Sequence, residues 1–472
     1  NPSPTVSIPH NSLDQFHFLR GFGHTCPAPG TRPGFSRLGG KLGSNQSTAS
    51  FFTAFTPIEH ILDESHPSLH GPLFRHHSTY VVSRGWCRIA FGTYRTLNYP
   101  FASGTQCHDP KGTSMNFGFS DEQDAIRDTL ARMLSDHATL AVVHDCLETA
   151  EGFDSATWAA LAGGGWLGLA IAEDYGGSAM GAVELAIVAE EIGRSLAAVP
   201  FAPVLGLATP AIQDLGTQSQ KEKLLPGIAE GRLIAATALA EDGGSAPERV
   251  SAKVVQDRLS GRKSPVLFAA DASFALVAAL DEGGTVRLYL ADLSDPSVSI
   301  NPQDAIDRTR PAAEIVFHGA PVELLPGSDP AAIRTLLDSA AVLAAFEQIG
   351  LAERALSLTR DYACERQAFG RQIGSFQAVK HRLADMFAKI ELARSNAFFG
   401  AWALASGDNR LAEAAAVARL SALDAVQFTT EESIQLHGGI GFTWAADPHL
   451  FLRRGWQLKA ELGPADMWRE RL

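Results

Sequence analysis

The hydrophobic positions between residues 120 and 232 recur with the spacing of α-helices. This region is rich in Ala and Leu, and the pattern predicts helices over Asp121–Leu134 and Gly181–Leu196, separated by segments that contain Gly and Pro. Ser120 stands directly before the first helix, and Gln123 lies three residues after Ser120, which is the arrangement of a capping box. The region is therefore predicted to be an N-terminal helical domain.

The pattern changes to short β-type segments between residues 233 and 325. Phe274–Ala279 and Val286–Leu290 are two such segments, and turns rich in Asp and Gly separate them from their neighbours. Long helical patterns return over 330–472. One apolar stripe there follows alternating steps of four and three residues, as in the seam of a helix bundle, and it consists of Val379, Leu383, Met386, Ile390, Ala393 and Ala397.

These patterns predict an α+β multidomain fold. We expect an N-terminal helical domain over 115–232, a small middle antiparallel β domain over 233–328, and a C-terminal four-helix bundle over 329–472.

Composition separates residues 1–114 from the rest of the chain. They hold 9 of the 15 histidines and 10 of the 26 phenylalanines, but 5 acidic residues against 9 Lys and Arg, and they show no sustained helical or strand period. The first methionine is Met115. The preferred hypothesis is that the native protein starts at Met115 and that 1–114 is an upstream translation without a selected fold. A processed targeting leader and an accessory domain are the alternatives.

Charge and cysteine content exclude several function classes. The net charge of −13 argues against nucleic acid as a partner, because phosphate binding needs a basic surface. Five cysteines without a C-x-x-C pair predict neither a disulfide framework nor a zinc site, and no metal is expected; a reducing cytoplasm fits. The uncharged run Ser195–Ile212 contains Pro200, Pro203 and Pro210, so it is not predicted to span a membrane.

A candidate binding segment precedes the stripe of the last region. It reads Arg366-Gln-Ala-Phe369-Gly370-Arg-Gln-Ile-Gly-Ser-Phe376-Gln377. The guanidinium of Arg366 offers a planar fork of donors that matches phosphate oxygens, so Arg366 is a candidate diphosphate ligand.

A glycine-rich segment follows some sixty residues later and reads Gln435-Leu-His437-Gly438-Gly439-Ile-Gly441-Phe442. Glycines allow a ligand to approach the backbone closely. Gly-Gly-x-Gly alone is a weak signal, but the flanking Gln435 and Phe442 make it more specific. We interpret His437 as a structural residue rather than a catalytic one.

Together the two segments resemble those of the acyl-CoA dehydrogenase family, and the resemblance covers 115–472. In that family they hold the pyrophosphate and adenine of FAD across a subunit interface. The resemblance implies FAD as cofactor, with Arg366, Phe369, Phe376, Gln377, Gln435, Gly438, Gly439 and Gly441 as binding residues. It also implies α,β-dehydrogenation of an acyl-CoA thioester, with electron-transfer flavoprotein or an equivalent as acceptor.

Two β segments depart from the family pattern. The family's Thr-Glu-Pro segment, which contacts the flavin ring, reads here Ala240-Glu241-Asp242. The family's Trp-Ile-Thr/Ser strand has Pro265 and Leu267 in place of the tryptophan and the hydroxyl residue. Neither of these two side chains can donate a hydrogen bond, so the resemblance does not extend to flavin-ring binding by this subunit's own β domain.

The family's catalytic base is displaced as well. Removing a proton α to a thioester needs a desolvated carboxylate with a raised pKa. Leu462 and Ala340 occupy the two positions that family members use, with Glu461 one residue early and Asp338 two residues away. Glu461 is a weak candidate for the base, and we expect it to be a solvated carboxylate at a helix end.

The chain most resembles the smaller partner subunits of heteromeric acyl-CoA dehydrogenases from bacterial pathways that shorten steroid or other bulky side chains. The resemblance predicts a second acyl-CoA dehydrogenase-like subunit that supplies the base. Two alternatives remain: a self-sufficient homomeric dehydrogenase that uses Glu461, and a flavin-dependent monooxygenase on the same fold.

Overall fold

The computed structural model describes residues 119–148, 152–241 and 249–472, together with the backbone of 107–108 and 114–115. All described residues belong to one compact unit, which falls within residues 98–472. The predicted extension 1–114 lies outside the described residues except for strand β1, Cys107–His108, and the first residue of strand β2, Ser114–Met115, which pairs with β1 in antiparallel fashion.

The N-terminal part is helical, as predicted. Its first helix begins at the Ser120 capping box, in which the Ser120 hydroxyl accepts from the Gln123 amide, and it runs three residues beyond the predicted end. A π-helix over Ala202–Ala208 lies between the helices Ala182–Ser195 and Thr209–Leu215. The helices are α1 Asp121–His137, α2 Leu140–Glu148, α3 Ser155–Gly163, α4 Ala182–Ser195, α5 Thr209–Leu215 and α6 Gln218–Ala229.

The middle part is one β-sheet that closes on itself. Strand β6 pairs with β7, and the ring continues through β9, β5 and β4 back to β6. The strands are β3 Ala235–Ala238, β4 Lys253–Val255, β5 Arg258–Leu267, β6 Phe274–Leu280, β7 Val286–Asp292, β8 Val298–Gln303 and β9 Ala312–Leu324. Both predicted segments are confirmed as β6 and β7.

The prediction of an antiparallel sheet needs one correction. Strand β3 runs parallel to β6, and a single pair, Lys253 with Leu280, joins β4 to β6 in parallel. Two parallel strands need a long crossover between them, and the chain from β3 to β6 provides one because it first forms β4 and β5.

The C-terminal part is the predicted helix bundle. Of the predicted stripe, Met386, Ile390, Ala393 and Ala397 are buried, whereas Val379 and Leu383, nearer the start of α8, are half-buried. Its elements are α7 Pro330–Glu365, β10 Gln367–Ala368, β11 Arg371–Gln372, α8 Gln377–Ser406, α9 Leu411–His437, α10 Pro448–Ala460 and α11 Ala465–Arg469.

Helix α7 is the core helix of the bundle. Among the described residues it is the one helix long and apolar enough to cross a membrane by length and composition. However, 83% of its apolar window is buried inside the protein. The core helix of a globular domain meets the same criteria, so the length of α7 carries no further conclusion.

Helices α4 and α7 cross at two glycines. A Cβ atom on Gly193 of α4 would lie 1.9 Å from the carbonyl oxygen of Glu347, and one on Gly350 of α7 would lie 1.9 Å from the carbonyl oxygen of Glu190. Any side chain at either position would overlap the opposite backbone. The N-terminal helices therefore pack on the bundle at a separation that only glycine permits.

A buried carboxylate beside this crossing joins α4 to a third helix, α8. The carboxylate of Glu190 accepts hydrogen bonds from Nη1 of Arg394, on α8, at 3.1 and 3.0 Å, and from Nη2 of Arg194 at 2.7 Å. Burial by itself would raise the pKa of Glu190, but Arg394 and Arg194 outweigh burial and lower it. Glu190 thus remains ionised and ties α4 to α8.

We predict that Gly350→Ala lowers the free energy of unfolding by about 3 kcal/mol, the upper end of the range for overpacking, because the new methyl group meets backbone that cannot rotate away. Gly206→Ala is the matched control, since Gly206 is buried and a Cβ there would meet no atom within 4 Å. Urea denaturation of both variants measures the difference. Equal stability of the two variants would contradict the close crossing.

Candidate functional site

Arg366 stands at the junction between helix α7 and a short hairpin. It caps the C-terminus of α7, and its carbonyl oxygen accepts from the amide of Ile373 at 2.8 Å, which closes the β10–β11 hairpin. Its side chain is exposed and makes no hydrogen bond or ion pair with another described residue. The guanidinium is therefore available to an anion.

The hairpin turn presents an aromatic ring to solvent. Phe369 and Gly370 both have positive φ angles, 53° and 78°, a backbone conformation that Phe rarely adopts. The Phe369 side chain is 95% exposed. Positive φ at both central residues is what the favoured two-residue hairpin turn requires, and this turn holds the Phe369 ring outward.

Phe376 and Gln377 lie directly below the turn. Phe376 is the N-cap of α8, its ring meets that of Phe369 edge-on at 6.2 Å, and the Arg371 guanidinium lies 4.0 Å from the Phe376 ring centre. Gln377 is the first residue of α8 and is exposed. The predicted residues of this segment are thus brought together on one surface.

The glycine segment lies at the end of α9. Gln435 is exposed on the last helical turn, and Gly438 follows the helix with φ +67°. A Cβ atom on Gly438 or Gly439 would meet nothing within 4 Å, so the backbone there is open to a ligand.

Gly441 differs from the other two glycines. It is buried, and a Cβ atom there would lie 3.0 Å from the carbonyl oxygen of Ile434 and 3.1 Å from Cβ of His437. Glycine at this position is required for packing against α9. The contribution of Gly441 to ligand binding stays a prediction.

The two segments are neighbours because the helices before them touch. Tyr362 of α7, one turn before Arg366, stacks on the ring of His437, the last residue of α9. The surface therefore combines a free guanidinium, an exposed aromatic ring and open glycine backbone. This set suits a ligand with both phosphate and a planar ring, and it fits the dinucleotide FAD.

The two β segments that depart from the family pattern offer few free hydrogen-bond donors to a ligand. The amide of Ser264 donates to the carbonyl oxygen of Ala240 at 3.1 Å, so the two altered segments are adjacent. Lys263 is buried and its amine pairs with Glu241 at 2.5 Å, which leaves that cation engaged. Pro265 is exposed and Leu267 half-buried, and Asp242 lies outside the described residues.

The prediction that Glu461 is a solvated carboxylate is wrong. Its side chain is 18% exposed, and Oε2 lies 3.4 Å from Nη2 of Arg310. Its own carbonyl oxygen accepts from Nη2 of Arg419 at 2.7 Å, and the carbonyl of Leu458 accepts from the same atom at 2.6 Å. Arg419 thus caps the C-terminus of α10 and turns Glu461 inward.

Glu461 belongs to a buried ion cluster of three arginines and three acids. Arg310 contacts Glu347 at 2.9 Å, and Arg454 pairs with Asp307. Burial lowers the pKa of Arg419 to about 10. The members of the cluster are Asp307, Arg310, Glu347, Arg419, Arg454 and Glu461.

Within the cluster, Glu461 is the acid that is held most weakly. Its Oε1 atom has no hydrogen-bond partner among the described residues. Burial raises the pKa of Glu461, and Arg310 only partly offsets this effect. A carboxyl with a raised pKa is what a general base needs, yet this one faces the ion cluster.

The structure describes both positions at which family members carry the base. Leu462 has φ +57° and packs partly buried against the core, and Ala340 is buried in α7. Asp338 is buried and pairs with Arg471, near the C-terminus. None of these side chains therefore offers a free carboxylate.

Two surface clefts lie in the N-terminal part, and neither includes a predicted site residue. Their volumes are about 370 Å³ and 590 Å³. The first is lined by Ala170, Ala172, Tyr175, Ala179, Met180, Gln213, Asp214 and Lys221, and the second by Phe153, Ser155, Trp158, Ala159, Ala162, Gly163, Glu230, Gly231 and Ile234.

Sequence reasoning missed Tyr362 and the arginines around Glu461. Tyr362 precedes Arg366 by one turn of a helix, so its spacing was a usable signal. Arg310 and Arg419 are far from Glu461 in sequence, and no local pattern connects them.

We predict that Glu461→Gln changes how stability depends on pH. Because the folded pKa of Glu461 is raised above its ordinary value of 4.5, the folded state holds this proton at pH values where the unfolded state has lost it. The wild type should therefore lose stability relative to Glu461→Gln as the pH rises above 4.5. Urea denaturation between about pH 4 and pH 8 checks this. Parallel pH profiles would show that the carboxyl titrates as it does in water.

Comparison with known proteins accounts for both helical parts. Residues 120–232 match the acyl-CoA dehydrogenase N-terminal domain, and residues 330–467 match the acyl-CoA dehydrogenase C-terminal domain. The acyl-CoA dehydrogenase IpdE2 of Mycolicibacterium smegmatis is 33% identical over 348 residues, which cover 73% of this chain and 96% of that protein.

Solved structures agree with this match. The Tcur3481-Tcur3483 steroid ACAD, determined as a variant, is 33% identical with a TM-score of 0.69, covering 75% of this chain and 96% of that one. The ChsE4-ChsE5 complex from Mycobacterium tuberculosis has 25% identity and a TM-score of 0.70, covering 76% of this chain and 97% of that one. The chain therefore belongs to the acyl-CoA dehydrogenase family of oxidoreductases.

Proposed function

We propose that this protein is one subunit of a heteromeric, FAD-dependent acyl-CoA dehydrogenase whose partner subunit supplies the catalytic base. The single observation that carries the proposal is the contrast between two sites. In the two segments, Arg366, Phe369, Gln377, Gln435, Gly438 and Gly439 are exposed, whereas Glu461 is turned into the buried ion cluster.

The exposed surface suits the diphosphate and adenine of FAD. Arg366 would bind phosphate oxygens through its guanidinium fork, Phe369 would contact a planar ring, and the backbone of Gly438 and Gly439 would allow close approach. When bound, FAD supplies the acceptor for the hydride that leaves the β-carbon of the acyl group. The role of this chain is to bind and orient the cofactor.

The α-proton must leave at the same time, and it needs a carboxylate that faces the substrate. In this subunit Leu462 and Ala340 cannot ionise, and Asp338 is paired with Arg471. A base from a second subunit would supply the one group that the reaction needs and that this chain does not offer. We propose electron-transfer flavoprotein or an equivalent protein as the final acceptor.

The names of two similar structures support a two-component assembly. One is a ChsE4-ChsE5 complex, and the other is called the Tcur3481-Tcur3483 steroid ACAD. Both names join two different chains. The altered β segments of this chain, with Pro265 and Leu267, agree with a flavin ring bound mainly by the partner.

One observation favours a second candidate, a self-sufficient homomer that uses Glu461. The pKa of this carboxyl is raised and its Oε1 atom has no partner among the described residues. Serving as base would require Glu461 to leave Arg310 and turn towards the substrate. The two candidates differ in what the purified chain does alone.

We predict that Arg366→Ala weakens FAD binding by about 1.5–3 kcal/mol, the range for a hydrogen bond to a charged group. Arg366→Lys should recover part of this, because an ammonium lacks the planar fork. Arg360→Ala is the matched control, since Arg360 is exposed one to two turns earlier on α7 and pairs with Asp361. The FAD content and dissociation constant of the assembled oligomer measure the effect. Undiminished FAD binding by Arg366→Ala would remove the proposed cofactor role.

We predict that Glu461→Gln changes the rate of acyl-CoA oxidation by the two-subunit assembly only a few-fold, because the partner supplies the base. Loss of a true base typically costs about 10²-fold or more. The chain alone should be nearly inactive and poor in FAD. Dye-coupled oxidation of acyl-CoA by the chain, with and without a candidate partner subunit, measures both expectations. Rapid turnover by the single chain that disappears in Glu461→Gln would establish the homomer instead.

A further inference from the structure

A stacked pair of rings joins the two segments of the proposed cofactor surface. The rings of Tyr362 and His437 have centroids 4.3 Å apart and planes inclined by 24°. The Tyr362 hydroxyl also donates to the carbonyl oxygen of His437 at 3.5 Å. Tyr362 precedes Arg366 by one helical turn, and His437 directly precedes Gly438.

Polar contacts beneath the rings fix the imidazole. Nδ1 of His437 donates to the carbonyl oxygen of Ser433 at 2.7 Å, one turn back on α9. The buried hydroxyl of Thr359, on α7, donates to the hydroxyl of Ser433 at 2.7 Å. Burial lowers the pKa of His437, which keeps the ring neutral and suited to stacking. The contacts thus form a ladder from α7 to α9 that ends at the ring pair.

Each cofactor segment is also packed on its own helix. A Cβ atom on Gly374 would lie 2.9 Å from the carbonyl oxygen of Ala363, next to Tyr362. A Cβ atom on Gly441 would lie 3.1 Å from Cβ of His437. Because the segments follow their helices closely, the distance between Arg366 and Gly438 depends on how α7 and α9 meet at the ring pair.

We infer that Tyr362 and His437 are positioning residues that hold the phosphate-binding and glycine segments at the separation a dinucleotide requires. The inference rests on the proposed function, since it assigns these rings to the same cofactor surface. Their effect is transmitted through Arg366 and Gly438, so removing the stack should weaken FAD binding while both ligating segments remain intact.

The test compares variants of Tyr362 in the assembly that retains FAD. The free energy of a stacked aromatic pair is equivalent to a change of about three- to tenfold in a binding constant. We therefore expect Tyr362→Ala to raise the FAD dissociation constant by about that factor. Tyr362→Phe keeps the ring and should restore nearly all of the affinity. Tyr362→Leu keeps the apolar volume without the ring and serves if the alanine variant does not fold.

A second aromatic pair provides the control. Phe399 and Trp402 stack at 6.2 Å with planes inclined by 16°, near the opposite end of α8. Phe399→Ala removes a comparable contact and should leave FAD affinity unchanged. The thermal stability of each apoprotein separates a general loss of folding from a specific loss of binding.

The outcomes distinguish this inference from the proposed function. If Arg366→Ala binds FAD normally, the proposed function fails. If Arg366→Ala loses FAD while Tyr362→Leu binds like the wild type, the inference alone fails. A loss in Tyr362→Phe as large as in Tyr362→Leu would also overturn it, because the stack would then not be the cause.

Discussion

The close crossing of α4 and α7 is the constraint on which the rest of the structure depends. At Gly193 and Gly350, each helix backbone lies where a side chain of the other would be. Glu347 and Glu190 supply the backbone carbonyls at this contact. Their carboxylates are buried, and each binds a different set of arginines. Glu190 binds α8 through Arg394, and Glu347 binds the β domain through Arg310. One contact between helices thus sets the arrangement of all three parts.

The same arrangement places the proposed cofactor surface and Glu461 in different surroundings. Helix α7 carries Glu347 in its middle and delivers Arg366 to an exposed hairpin at its end. Through Arg310, Glu347 belongs to the cluster that draws Glu461 inward, and Arg419 fixes the backbone of that residue. The helix that ends at the proposed phosphate-binding surface therefore also takes part, through Glu347, in the ion cluster that holds Glu461.

Local patterns predicted the elements of the fold and the exposed surface, because helix periodicity, capping and glycine turns are properties of neighbouring residues. The capping box at Ser120 and the strands at Phe274 and Val286 are confirmed. The environment of Glu461 could not be predicted in this way, since its partners come from a β-domain loop and from another helix. The parallel pairing of β3 with β6 depends likewise on a long crossover.

The outward-facing rings of the proposed cofactor surface bear on how the protein is produced. Phe369 is 95% exposed, and Phe442 and Trp444 beside the glycine segment are 73% and 57% exposed. Apolar area of this kind is where free copies of a subunit adhere to one another. In the two-subunit assembly proposed above, the partner chain would cover this apolar area. Producing both chains in matched amounts would then serve solubility as well as catalysis.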